Sequence, residues 1–268
     1  MNFEFINELR VLLQTNNIFM FLITGGKTLA LALLTFKFLD GIIGQIGDEN
    51  PKLNTLPKYI AYAFFIVSSD WIVDIIEGAF SMVDLQMGNT SSDLYTELNT
   101  AMEEQWNSTM AGCITWYDYL GAALSSVLFV ITFVVAQLLM VLCKIADLSI
   151  TTGYLLVRVF LIQFMKMVFP LIIALSTLDI TKDLLGRWIK KYIGLFVLGI
   201  AYIGILHFTS LMQTALISQF RQANGDGLFT GVELNAFTFG MIVTIIVVFT
   251  VKVKLFQSVT SYVSNLFS

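Results

Sequence analysis

Residues 120–143 are 24 consecutive positions without a formal charge, and this run limits the chain more than any other feature. As a helix rising 1.5 Å per residue it would be about 36 Å long, enough to cross a hydrocarbon core of about 30 Å with some tilt. Lipid leaves no backbone polar group a water partner, so only helices and closed barrels span it. An unbroken apolar run of this length reads as a helix. The composition agrees: 57% of the 268 residues are hydrophobic and 13% are charged, and the mean hydropathy is +0.80. A soluble domain carries roughly 25% charged residues, so an ordinary water-soluble enzyme is excluded.

Four further segments are apolar enough to cross. Residues 18–39 contain Lys27 and the Gly25-Gly26 pair, and residues 59–76 contain Asp70 and Asp74. Residues 192–211 and 237–251 complete the set. Residues 148–178 are also apolar but are interrupted by Arg158, Lys166 and Pro170. The expected fold class is therefore all-α, a polytopic membrane helix bundle of about five transmembrane helices plus an amphipathic or re-entrant segment. Residues 1–76 would hold an N-terminal amphipathic helix and two spans, and 77–118 an acidic outer loop with a short helix started by Ser92. Residues 119–251 would form the membrane bundle with its interrupted segment 148–178, and 252–268 an amphipathic tail.

Lys and Arg set the orientation. None occurs between Tyr59 and Cys143, where Glu77, Asp84, Asp93, Glu97, Glu103, Glu104 and Asp118 gather. Positive charge is retained on the cytoplasmic side, so this loop belongs outside. Lys52 and Lys58, then Lys182, Arg187, Lys190 and Lys191, then Lys252 and Lys254 belong inside. The N-terminus is then outside and the C-terminus inside. To satisfy this, residues 148–178 are expected to leave and return on the cytoplasmic side, or to pack as an amphipathic element. Both ends of the chain are amphipathic: Phe5, Ile6, Leu9, Leu12 and Leu13 at one, Leu255, Phe256, Val259, Tyr262, Val263, Leu266 and Phe267 at the other.

Polar residues recur at helical spacing within this apolar background. Asp70, Asp74, Glu77, Ser81 and Asp84 fall within an arc of about 80°. With the span starting at Tyr59, Asp70 lies about 17 Å in, where a carboxylate costs about 2.5–3.5 kcal/mol on the insertion scale. It must face protein or water. Gln137, Lys144, Asp147, Thr151, Arg158 and Lys166 share an arc of about 100° if helical throughout. A straight helix over 120–169 would be about 75 Å long, so a bend is expected near residues 144–153. Two readings stand: the stripes line a path shared by several subunits, or Asp70 and Asp74 pair with Lys27 or Arg158 and hold the bundle in register.

Catalysis has no residue set to rest on. There is no phosphate-binding Gly-rich loop, no H-E-x-x-H, no recognisable nucleophile motif and no clustered metal ligands, so no cofactor is expected and the chain reads as non-enzymatic. The sole His, His207, reads as a packed or interfacial residue.

The run from Arg158 through Lys166 and Pro170 to Leu175, followed by Gly186, Arg187, Trp188 and the apolar span from Tyr192, resembles the central stretch of the TrbL-like polytopic inner-membrane subunit of bacterial type IV secretion systems. The resemblance covers about residues 145–210. It implies a non-enzymatic subunit of a conjugation apparatus in the bacterial inner membrane, assembling as a homo-oligomer. Its partners would be other inner-membrane subunits, the energising ATPases and a translocating DNA–protein substrate. It also implies that Arg187 and Trp188 form an anchor at the cytoplasmic interface. A small ion channel or ion-coupled transporter using the intramembrane Asp, Arg and Lys is the alternative.

Overall fold

The computed structural model describes residues 4–43, 56–89, 116–178, 181–223 and 231–267, together with Tyr95 and residues 99, 100, 103, 104, 107 and 111. The basic loop around Lys52, the helix expected after Ser92 (Tyr95, Asn99 and Thr100 apart), and Cys113 lie outside the described residues. Among the described residues seven helices follow in chain order: α1 (Glu4–Thr15), α2 (Asn17–Ile43), α3 (Leu56–Val67), α4 (Ser69–Asn89), α5 (Trp116–Leu175), α6 (Leu184–Ala223) and α7 (Gly231–Leu266). The protein is an all-α, polytopic membrane helix bundle. Among the described residues four helices are long and apolar enough to cross a membrane, or five if α3 and α4, bent by 58° from each other, count as one span.

Local chemistry explains where the helices stop. Asn16 separates α1 from α2, and its Oδ1 accepts the Ile18 N–H at 2.8 Å, the capping bond expected of Asn. The α3–α4 bend falls at Ser68, whose N–H still donates to Phe64 at 2.9 Å while its carbonyl accepts from Ile72 at 3.2 Å. Ser68 thus ends one helix and starts the next, and Asp70 lands in the first turn of α4, where the helix dipole favours a carboxylate. Beyond α5 the chain tightens: Thr177 and Leu178 donate to carbonyls three residues back, and Thr181 Oγ1 donates to the Leu175 carbonyl. Asp183 then opens α6, accepting from Arg187 at 3.0 Å.

Three expectations change. The outer loop does not begin at residue 77, because α4 runs on to Asn89 with Glu77 buried within it. Residues 148–175 neither turn back nor separate from the preceding span: α5 is one helix of 60 residues, running unbroken through 144–153. At 1.5 Å per residue it reaches about 90 Å of contour, far beyond a hydrocarbon core. The physical reason is that nothing in 144–153 forces a break. Gly153 is tolerated within a helix at about 1 kcal/mol, and the side chains of Asp147, Thr151 and Arg158 are buried in protein rather than left to solvent. Likewise the tail is no separate helix, because α7 runs on to Leu266. Phe256 and Val263 are buried and Gln257, Ser258, Ser261, Ser264 and Asn265 are exposed, but Tyr262 and Leu266 of the expected apolar face are 69% and 62% exposed, so only part of that face is covered.

The chain divides into two compact units. One comprises residues 3–89, 155–200 and 260–268. Its core joins Ala30 and Leu34 of α2, Ile66 of α3, Val73 of α4, and Ile162, Phe169 and Ile173 of α5. From α6 come Trp188, Tyr192 and Phe196, spaced four apart and so aligned on one face. Trp188 stacks on Phe169 with ring centroids 4.2 Å apart, and Phe196 stacks on Phe80 at 4.6 Å. Gly26 lets α2 come close to α5, since a Cβ there would lie 3.3 Å from the Met167 carbonyl oxygen.

The other unit comprises residues 1–2, 90–154 and 201–259. Ala136 and Met140 of α5, Ile217 of α6, and Met241, Ile245 and Val248 of α7 form its core with Tyr95. Tyr154, Tyr202 and Phe256 make a three-ring cluster with centroids 4.9–5.9 Å apart.

Candidate functional site

The charges of α4 are neutralised in sequence along one face. Asp70 meets Lys27 of α2, with Oδ2 2.6 Å from Nζ, and the same ammonium donates to the Val67 carbonyl at 3.2 Å. That carbonyl sits at the helix break, so Lys27 satisfies both the carboxylate and a backbone group at the bend. Asp74 faces Lys166 of α5 at 3.4 Å. Glu77 is the hub: Lys166 Nζ lies 3.0 Å away, Arg10 of α1 3.0 Å, and the Tyr192 hydroxyl of α6 donates to it at 3.1 Å. Four helices converge on one carboxylate.

Exposure differs along the same stripe. The Glu77 side chain is 7% exposed, whereas those of Asp70 and Asp74 keep 59% and 67% of their surface uncovered. Around them Ile60, Phe64, Val67, Trp71 and Ile75 are also exposed. The outer side of α3 and α4 is therefore apolar with two half-open ion pairs set into it. Ser81 and Asp84 continue α4, but their side chains lie outside the described residues.

Arg158 is fully enclosed. Its Nε donates to the Leu195 carbonyl at 2.8 Å and its guanidinium carbon lies 5.8 Å from the Phe196 ring centroid, a cation–π arrangement. It fits because residue 199 is glycine: a Cβ there would lie 2.6 Å from the guanidinium carbon. Asp70 pairs with Lys27, while Arg158 reaches Leu195 and Phe196 of α6.

The second expected stripe is divided between the two units. Within one, Asp147 of α5 pairs with Lys252 of α7 at 2.8 Å, and Thr151 Oγ1 donates to the same carboxylate at 3.4 Å. Both charged side chains are almost completely buried, at 2% and 6% exposure. Lys252 is thus an interior residue rather than part of a basic surface, while Lys254 is exposed. Gln137 donates to Asn99 Oδ1, and Lys144 is half-buried with no ion pair among the described residues. Lys166 serves the other unit, in the Glu77 hub. Arg187 is exposed, but Trp188 is in the core, stacked on Phe169 and Tyr192, instead of at an outward-facing anchor position. His207 is exposed on α6.

Four partners escaped the sequence reading: Arg10, Tyr192, Lys252 and Asn99. Lys252 carried a usable signal, since 252, 256, 259 and 263 share one helical face with buried apolar residues. Arg10 carried none. Among the described residues no group of His, Cys, Asp and Glu could hold a metal ion. No protein-family model matches the chain, and no curated protein or solved structure matches it.

Proposed function

We propose that this chain is a non-enzymatic channel or scaffold subunit of a type IV secretion machine, placed in the bacterial inner membrane and forming a homo-oligomeric part of the substrate path. The observation that carries the reading is the outer side of α4. Asp70 and Asp74 leave more than half of their side chains uncovered on an otherwise apolar surface. Hydrocarbon does not accept carboxylates in that state, so a further copy of the chain, another subunit or water covers them. The TrbL-like stretch from Arg158 to Trp188 supports the same class.

The N-terminus is periplasmic and the C-terminus cytoplasmic in this proposal. An unbroken α5 supports that orientation, because one crossing by α5 brings Lys182–Lys191 to the same side as Lys58 with no re-entrant segment. The Phe38–Tyr59 and Lys27–Asp70 contacts make α2 antiparallel to the α3–α4 pair, as two successive crossings require.

A clean deletion of the gene in a donor strain tests the function. Conjugative transfer is expected to collapse and to return with the gene supplied in trans; normal transfer in the deletion contradicts the proposal. A second reading, an ion channel or ion-coupled transporter, is favoured by one feature. The α3–α4 break presents a backbone carbonyl and Asp70 to a cation, here Lys27, as broken membrane helices do in ion sites. Ion flux by the purified protein in liposomes supports it, and no flux under any gradient removes it.

A further inference from the structure

We infer that Arg187, Lys190 and Lys191 on α6 of one copy meet Asp70 and Asp74 on α4 of the next, so that copies of the chain join head to tail. The inference rests on the homo-oligomer proposed above and names its interface. The basic group carries the argument. Its three cations stand at i, i+3 and i+4 and are all exposed, so they share an arc of about 100° and repel one another. α6 holds no acidic residue, and none of the three side chains meets a carboxylate among the described residues. Lys27, Lys166 and Lys252 each do. The cationic face of α6 thus has no counter-charge within its own copy.

Open carboxylates stand at matching height on α4. Tyr192 donates to Glu77 and Phe196 stacks on Phe80, so α4 and α6 run side by side in the same direction, with residue 77 beside 192 and 80 beside 196. Counting back residue for residue, Asp70 and Asp74 fall beside positions 185 and 189, within about 3 Å in height of Arg187 and Lys191. Their side chains are 59% and 67% exposed although each has a cation on one flank, so each has room for a second. The same copy does not supply it. Trp188, Tyr192 and Phe196 turn toward the core and α4, and they lie about 150° round α6 from the basic group. The acidic and basic faces therefore point to different sides of one unit, the arrangement of a heterologous contact. Rotation about the membrane normal repeats such a contact with every height preserved, and complementary charge sets its register.

The test uses the full chain carrying Cys113→Ser and Cys143→Ser in native membranes. Two differently tagged copies are co-expressed, one with Asp74→Cys and the other with Lys190→Cys. A short bis-maleimide should give a dimer that carries both tags, and neither copy expressed alone should give a dimer. Cross-linking of residue 74 to 74, or of 190 to 190, overturns the head-to-tail contact in favour of a two-fold one. Blue native electrophoresis of a mild-detergent extract separates this interface from the assembly itself. An oligomer without the mixed dimer overturns the interface alone, whereas monomer alone overturns the proposed assembly with it. Lys190→Glu combined with Lys191→Glu should shift the native band to monomer; an undiminished oligomer overturns the role of the charges.

Discussion

At the scale of single residues, stability rests on which buried charges keep a partner. Removing one member of a buried pair costs about 3–5 kcal/mol, because the other is left bare, whereas an apolar replacement of both can be nearly neutral. Asp147→Asn should therefore lower the melting temperature of the detergent-solubilised protein sharply, and Asp147→Leu combined with Lys252→Met should recover most of the loss. Additive losses would show that the two groups do not face each other. Gly199→Ala should cost about 1–3 kcal/mol through displacement of the Arg158 guanidinium, read as the same kind of thermal shift. The identities of the polar residues were legible in the chain, since Asp70, Asp74, Glu77, Asp147, Arg158 and Lys166 all stand at helical spacing in apolar segments. Their partners were not. Spacing fixes the face a residue occupies on its own helix, but Arg10 reaching Glu77 and Lys252 reaching Asp147 depend on how distant helices pack, which one helix's period does not encode.

At the scale of elements, the helices follow from apolar length, but the α3–α4 bend does not, because residues 59–76 read as one span. The continuity of α5 does not follow from apolar length, because sequence spacing does not show that Asp147, Thr151 and Arg158 are buried in protein. Ser149 tests the point: it is exposed, its hydroxyl donates to Ile145, and it lies in the middle of the stretch where a break was expected. Ser149→Pro removes a backbone donor from a continuous helix and should destabilise the protein by about 3 kcal/mol. Unchanged melting would mean that α5 is two elements joined there. Lys27 donates both to Asp70 and to the Val67 carbonyl at the α3–α4 bend, so Lys27→Met should lower folded yield in membranes more than Asp70→Asn does.

At the scale of the whole molecule, Glu77, Asp147, Arg158 and Lys252 are buried, and Asp70 and Asp74 are held in half-open pairs along one side of α4. Under the proposed function, cross-linking in native membranes should yield a ladder of homo-oligomers; monomer alone would contradict the proposed assembly. The measurement that tests the central claim most directly compares bimane labels at Asp70→Cys and Trp71→Cys in the reconstituted full chain, using lipids brominated along the acyl chain. Trp71, 66% exposed on the apolar side, should be strongly quenched, and residue 70 should be protected. Equal quenching at both positions would place the acidic stripe in lipid and contradict the account.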